Sequence, residues 1–207
     1  AGSRLLDRPA APRHPATARH GAVDGLRPKV LWRRLLRCET RVYSGAPTKS
    51  KLIPLAEAIR RFVPDGSSVA AGLGLEALIP FAAGHEIIRQ RKRGLTLIGP
   101  ISDILFDQLI GAGCADGVRA AWVGNVITGS GYNFRRAVES GRLRVEDHSN
   151  LTLAMALKAG ALGVPFLPVR SVLGSDLFST NPGIRRFSCP LSGDPLVAVA
   201  AIRPDVA

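Results

Sequence analysis

One short segment, Glu146-Asp147-His148-Ser149-Asn150, places two carboxylates directly before a histidine. Paired carboxylates beside a histidine can act as general acid and base when burial shifts their pKa values. The same residues also suit a structural role. Ser149 or Asn150 could cap a helix that begins directly after them, with both carboxylates near its positive end. The sequence leaves both interpretations open.

A glycine pair, Gly72-Leu73-Gly74, follows the short apolar run Ser68–Ala71. Glycines allow positive φ and a close approach of backbone to ligand, and a helix starting after them could bind an anion. A tight turn that needs glycine for steric reasons is equally compatible with this pattern. The pair is not the three-glycine fingerprint of dinucleotide-binding proteins.

A second loop of small residues joins Trp122–Asn125 to Thr128–Tyr132. Its Gly, Ser, Thr and Asn residues offer backbone N–H groups and small hydroxyls, which can hold a carboxylate or a carbonyl oxygen. The alternative is a purely connecting loop, and the residues alone do not choose between the two.

The fourth candidate, Ser171 to Asp176, contains Gly174-Ser175-Asp176 and is expected to form a lid or a subunit-contact loop. A Ser-His-Asp hydrolase is not supported, because the sequence holds no Gly-x-Ser-x-Gly elbow. His85 is expected on a helix face as a surface or packing residue. The sequence also shows no metal-ligand spacing of His, Cys and carboxylates, so we predict no metal site.

These segments are separated by apolar runs that alternate with helical patterns. The pattern predicts an α/β fold with a mostly parallel sheet flanked by helices. In such sheets ligands bind at the carboxyl ends of the strands, so we expect the pocket in the loops at 72–76, 99–103, 124–131, 146–150 and 170–176. Predicted helices span 52–63 (capped by Ser50), 80–93, 103–110 (capped by Ser102 or Asp103), 132–139 and 151–162; predicted strands span 68–71, 95–98, 118–123, 143–145, 166–169 and 196–201.

The net charge of +12 raises the question of nucleic-acid binding. Residues 1–50 hold 11 Lys/Arg against 3 Asp/Glu, whereas residues 51–207 hold 17 against 13. The basicity therefore belongs mostly to the N-terminal part, and the remainder has no stripe of basic and aromatic residues. We predict no nucleic-acid partner.

The three cysteines, Cys38, Cys114 and Cys189, are too few and too widely spaced for a disulfide framework. The sequence holds no apolar run of the ~20 residues that span a membrane, and no secretory signal. We therefore predict a cytoplasmic protein with no membrane partner.

Residues 1–49 are predicted to be a disordered basic extension, because the Ala-, Arg-, Pro- and His-rich residues 1–28 cannot bury enough apolar surface to offset their ordering entropy. The apolar-basic patch Val30–Leu36 could instead form two helical turns that dock on a partner or a membrane surface. Residues 50–207 are predicted to form the folded domain.

Three segments in this domain carry a family resemblance: Asp65–Gly74, Val138–Asp147, and Gly163–Arg170 running into Gly174–Asp176. Together they resemble the alpha subunit of two-subunit (family I) CoA-transferases of the glutaconate CoA-transferase type. The resemblance extends from about Leu52 to Ala207. Members of this family continue through further strands and helices, so the resemblance implies a domain that is incomplete at its C-terminus.

The resemblance also implies an activity. Such enzymes move CoA from an acyl-CoA to a carboxylic acid by ping-pong chemistry, in which a glutamate attacks the thioester and becomes a glutamyl-CoA thioester. That glutamate belongs to the beta subunit, so no catalytic residue is assigned here and a beta-type partner is expected. CoA thioester is expected as substrate, with no tightly bound cofactor. The substrate-binding residues expected in this chain are Gly72, Gly74, Asn125, Ser130, Glu146 and Ser175.

Two other functions stay open. One is a subunit of a related acyl-CoA ring-opening hydrolase, which would have a partner without the nucleophilic glutamate. The other is a non-catalytic fragment or binding module, for which acyl-CoA would leave the melting temperature of the complex unchanged.

Overall fold

A computed structural model describes residues 51–72, 78–102, 104–125 and 129–207. The predicted disordered extension, the Ser50 and Asp103 caps and the candidate residue Gly74 lie outside these ranges. In chain order the elements are α1 Leu55–Phe62, β1 Ser68–Ala70, α2 Phe81–Arg89, β2 Leu95–Ile98, β3 Ile101–Ser102, α3 Ile104–Gly111, β4 Ala115–Ala120, β5 Trp122–Asn125, β6 Gly129–Ser130, α4 Tyr132–Glu139, β7 Arg144–Asp147, α5 Asn150–Leu162, β8 Phe166–Val169, α6 Leu177–Thr180, β9 Ile184–Ser188 and β10 Pro195–Ala200.

Four strands form a parallel sheet in the order β1-β2-β4-β7. This confirms the predicted α/β architecture. One face of the sheet carries Leu97 and Val118, which pack with the helical residues Phe106 and Leu109 into the larger of two cores. Burial of these branched and aromatic side chains is the main favourable term that holds helices to the sheet.

The opposite face of the parallel sheet meets α5 and a second, antiparallel sheet of order β8-β10-β9. Ile98 of β2, Leu153 and Ala156 of α5, and Val197 and Val199 of β10 are all fully buried in this second core. The antiparallel sheet was not predicted as such, and its strand β9 was not predicted at all.

The free side of β1 is paired by residues near the end of the chain. Val206 forms a parallel bridge with Val69, and its carbonyl accepts a bond from the Ala70 N–H at 2.8 Å. The Asp205 carboxylate accepts bonds from both the N–H and the hydroxyl of Ser68, at 2.8 and 2.7 Å. These contacts place β1 between two neighbours.

The predicted single strand 118–123 is wrong, because two strands occupy this region. β4 ends at Ala120, and the N–H groups of Ala121 and Trp122 both donate to the Pro100 carbonyl, at 2.9 and 3.2 Å. The chain thereby leaves the parallel sheet, and β5 pairs with β3 instead. An apolar run does not reveal such a change of partner.

Two predicted helix bounds also need correction. The first helix begins after Pro54 rather than after Ser50, because a residue that precedes proline disfavours helical φ and ψ. The second ends at Arg89 instead of Arg93, since Arg91 takes a positive φ of 55°. A right-handed helix cannot continue through that conformation.

The start of α5 resolves the choice between two predicted caps. Ser149 is the cap: its hydroxyl accepts the Thr152 N–H at 3.1 Å, and its own N–H donates to the Thr152 hydroxyl at 2.8 Å. This reciprocal pair satisfies two donors that the first helical turn leaves free, and such caps contribute ~1 kcal/mol. The capping interpretation of Ser149 is confirmed.

Candidate functional site

The carboxyl ends of the four parallel strands meet at one edge of the sheet. Backbone hydrogen bonds continue across this edge from Ala71 to Ile98 at 3.1 Å, from Gly99 to Arg119 at 3.1 Å and from His148 to Ala120 at 3.0 Å. The loops that follow the strands therefore begin side by side. Ligands of open parallel sheets bind at such an edge.

Gly72 lies at the end of β1 with a positive φ of 69°, a conformation that explains the glycine on steric grounds. It borders a small gap shared with Ile79, Ser102 and Phe106. On its other side it borders an apolar cavity of about 610 Å³ shared with Leu157.

The loop predicted between Asn125 and Ser130 begins and ends as an antiparallel strand pair, in which Gly124 faces Ser130. A side chain at Gly124 would overlap the carbonyl of Gly129, so this strand can come close only because residue 124 is glycine. Ser130 lines a cavity of about 270 Å³ together with Trp122 and Phe134. Ser130 thus shares a cavity with the exposed Trp122.

Glu146 is held by two neighbouring side chains. One carboxylate oxygen lies 3.0 Å from Arg119 Nε on the neighbouring strand, and the other lies 3.1 Å from His148 Nε2. The Glu146 side chain is 27% exposed, whereas that of His148 is 2% exposed. An ion pair that is partly withdrawn from water and also hydrogen-bonded holds both partners in one geometry.

Asn181 continues this arrangement into the antiparallel sheet. It is fully buried; its Nδ2 donates to the Asp147 carbonyl at 2.8 Å, and its Oδ1 accepts the Gly183 N–H at 2.8 Å. These two bonds fix the amide and place Nδ2 3.1 Å from His148 Nε2. We refer to Arg119, Glu146, His148 and Asn181 as the Glu146 network.

The electrostatics of the Glu146 network follow from these contacts. The hydrogen bond with His148, and after it the charge of Arg119, hold the pKa of the Glu146 carboxyl below its ordinary value, although burial opposes the shift. Because an ionised carboxylate only accepts hydrogen bonds, its bond to His148 requires the proton on Nε2. Glu146 and the Asn181 amide therefore compete for one ring nitrogen. Glu146 is suited to hold a negative charge rather than to serve as a general acid or base near neutral pH.

Ser175 lies in a tight turn after β8. Its hydroxyl and its N–H both donate to the Val172 carbonyl, at 3.0 and 3.1 Å. Val172 has a φ of 62°, a conformation that is costly for a β-branched residue. Among the described residues the hydroxyl of Ser171 is buried without a partner. This strained turn leads directly into α6 and Asn181.

The structure does not gather the predicted residues into one pocket. The cavity beside Glu146 is lined by none of the other predicted residues, and Gly74 lies outside the described ranges. Sequence reasoning missed Arg119 and Asn181. Their signals were weak: Arg119 is an arginine within an apolar strand, and Asn181 begins an Asn-Pro-Gly turn.

His85 occupies the exposed side of α2, where its Nε2 lies 3.0 Å from the Gln108 side chain, as predicted for a surface residue. In the part of the chain that the structure describes, no three His, Cys, Asp or Glu side chains gather as a metal site. Across these same ranges, every helix is too short or too polar to cross a bilayer.

Comparison with known proteins identifies the family. The family described as Coenzyme A transferase matches residues 53–207. The chain is 46% identical over 160 residues to the A-type subunit of 3-oxoadipate CoA-transferase from Pseudomonas knackmussii, covering 76% of this chain and 56% of that protein.

Two solved structures are similar in fold. Glutaconate coenzyme A-transferase from Acidaminococcus fermentans aligns with a TM-score of 0.69 and 30% identity, covering 75% of this chain and 54% of that one. The decarboxylase AibA/AibB aligns with a TM-score of 0.69 and 29% identity, covering 75% and 60%. The chain thus spans a little over half the length of these relatives. It belongs to the coenzyme A transferase family, and its similarity is to the A-type subunits of that family.

Proposed function

We propose that this chain is the A-type part of a two-subunit CoA-transferase, which moves CoA from an acyl-CoA to a carboxylic acid in the cytoplasm. The observation that carries the proposal is the 46% identity to the A-type subunit of a CoA-transferase, which extends over 76% of the chain. Identity at this level over a whole folded region supports a shared role more strongly than a shared fold does.

In the proposed reaction the nucleophile is a glutamate of the B-type partner. Its carboxylate attacks the thioester and becomes a glutamyl-CoA thioester, and the acceptor acid then takes over the CoA. Such covalent catalysis divides one difficult transfer into two easier ones, provided that the pocket excludes water. This chain would contribute a wall of that pocket and bind substrate.

We propose Gly72, Gly74, Asn125, Ser130, Glu146 and Ser175 as the substrate-contacting residues of this wall. Support differs among them. Ser130 lines a cavity, whereas the hydroxyl of Ser175 donates within its own turn. Glu146 is held ionised by Arg119 and His148, so it would orient a donor group of the substrate or repel a misplaced anion.

One comparison favours a second reaction. The AibA/AibB structure is described as a decarboxylase, and it matches this chain as well as the glutaconate enzyme does by TM-score. The fold therefore does not determine which reaction is catalysed. A decisive assay has to follow both CoA transfer and release of carbon dioxide.

The first experiment is an affinity pull-down of the full chain from its native cells, followed by mass spectrometry. We expect a partner of similar fold that carries the glutamate. Borohydride added after an acyl-CoA should then inactivate the complex and modify that glutamate, whereas borohydride without acyl-CoA should not. A partner without the glutamate would move the assignment to the hydrolase or the decarboxylase. Isolation of the chain with no partner would contradict the proposal.

A variant pair tests the role of this chain within the complex. Glu146→Gln removes the charge that faces Arg119, and we expect kcat/KM to fall by about tenfold or more, as for loss of one hydrogen bond to a charged group. Glu139→Gln changes an exposed glutamate at the end of α4 and should leave the rate unchanged. Equal rates in both variants would remove Glu146 from the proposed site.

A further inference from the structure

A second feature near Glu146 has the properties of an anion pocket. A cavity of about 300 Å³ lies on the face of the parallel sheet that carries Thr96, Gly117 and Arg144, and it is also lined by Thr180 at the end of α6 and by Pro182 after it. We call it the Arg144 cavity. Its volume is at the lower end of the range for small-molecule sites.

The floor of the Arg144 cavity exists because residue 117 is glycine. A Cβ at this position would lie 3.1 Å from the Thr96 hydroxyl, closer than side-chain carbons normally pack. Gly117 is buried in the middle of β4, where a glycine weakens a strand. Glycine within a strand often marks a place where a ligand or another backbone approaches closely.

The charges around the cavity do not cancel. Arg119 is neutralised by Glu146 at 3.0 Å, and Glu146 is also bonded to His148. Within the described ranges the guanidinium of Arg144 has no ion pair or hydrogen bond, and the hydroxyls of Thr96 and Thr180 have no partner either. The cavity therefore offers one uncompensated guanidinium and two uncommitted hydroxyl groups.

This combination selects a ligand class. A guanidinium binds a carboxylate through two parallel N–H bonds, and hydroxyls can donate further bonds to the same oxygens. Phosphate fits less well than a single carboxylate group, because it concentrates up to two negative charges on one group and the ionised Glu146 lines the same cavity.

We propose that the Arg144 cavity binds the carboxylate of a small organic acid and that Arg144 is its charge partner. The identity of the ligand rests on the proposed function: in a CoA-transferase, the bound acid is the acceptor or the released acid of CoA transfer. The site itself is built from residues of this chain, so binding requires neither the partner subunit nor CoA.

The test is calorimetric titration of the full-length chain with glutarate, acetate and inorganic phosphate at fixed ionic strength. We expect saturable binding of the carboxylates. In Arg144→Gln their Kd should rise about tenfold or more, as for loss of a hydrogen bond to a charged group. The matched control is Arg142→Gln, which alters an exposed arginine whose Nε donates to the Ser140 hydroxyl at 3.1 Å, and it should keep the wild-type Kd.

A second variant, Thr180→Val, should weaken carboxylate binding by about fivefold, because it removes one neutral hydroxyl from an exposed position. Absence of saturable carboxylate binding to the wild type would overturn the proposal. An equal loss in Arg142→Gln would show non-specific attraction to basic residues and would overturn it as well. Tighter binding of phosphate than of acetate would refute the carboxylate assignment.

Failure of the proposed function and failure of the carboxylate site give different experimental results. If the chain binds carboxylates through Arg144 but the complex transfers no CoA, the site stands and the transferase assignment falls. If the complex transfers CoA equally well with wild type and Arg144→Gln, the transferase assignment stands and the acceptor role of the cavity is refuted.

Discussion

Removal of the Asn181 side chain should destabilise the fold more than its small size suggests. The residue is fully buried, and each of its two backbone hydrogen bonds is 2.8 Å long. Asn181→Ala leaves the Gly183 N–H and the Asp147 carbonyl without these partners. An unsatisfied buried group costs about 1–3 kcal/mol, and since Asp147 is exposed to water we expect a total of about 2–4 kcal/mol.

The measurement is urea unfolding of the full chain, monitored by far-ultraviolet circular dichroism. An unchanged m-value serves as the check on two-state behaviour. Asn150→Ala is the matched control. Asn150 is exposed at the start of α5, so its substitution should change the free energy of unfolding by less than about 0.5 kcal/mol.

The variant Asn181→Asp tests the two hydrogen bonds of Asn181 separately. It keeps an oxygen for the Gly183 N–H but cannot donate to the Asp147 carbonyl, and it places a carboxylate oxygen against His148 Nε2. A loss for Asn181→Ala of less than about 1 kcal/mol would refute the argument, because it would mean that other groups or water replace both bonds.

Three further outcomes are expected. Urea unfolding across pH should show that Glu146 stabilises the fold relative to Glu146→Gln. This stabilisation should be fully present above the ordinary pKa of 4.5 and be lost as the pH falls through the lowered folded-state pKa of Glu146. A difference in unfolding free energy that does not change with pH would contradict the assigned network. Gly160→Ala should lower the melting temperature by several degrees, because a Cβ would overlap the Ile202 carbonyl, and an unchanged melting temperature would show that α5 can shift away. In site-resolved alkylation monitored by mass spectrometry, Cys189 should react faster than Cys114, because hydrogen bonds from Ser192 and the adjacent backbone lower the pKa of Cys189 while burial raises that of Cys114; the reverse order would exclude this explanation.

Much of the fold could be predicted from local signals. Strands 95–98 and 166–169 and helix 132–139 were predicted with the bounds that the structure gives them. Each is a clear apolar or amphipathic segment with glycine or proline close by. Such signals are short-range, so a single sequence carries them in full.

Features set by long-range contacts were harder to predict from the sequence. Strand β9 was missed because Arg185 and Arg186 interrupt its apolar alternation, and it is stabilised by pairing with β10 rather than by its own composition. The Glu146 network joins Glu146 to an arginine 27 positions earlier and an asparagine 35 positions later. No local pattern indicates such a meeting, so only Glu146 and His148 could be singled out beforehand.

The bridge between Val69 and Val206 has a consequence for the order of folding. β1 and the segment that covers its free side are separated by 137 residues, as Ser68 and Asp205 are. A ribosome must synthesise the chain from β1 through Val206 before β1 can gain its second neighbour. Until then one side of a parallel strand stays open to other chains, and contacts of such high sequence separation form slowly. Pairing at β1 should therefore be a late step in the folding of this domain, with the antiparallel sheet and α5 already assembled around the gap.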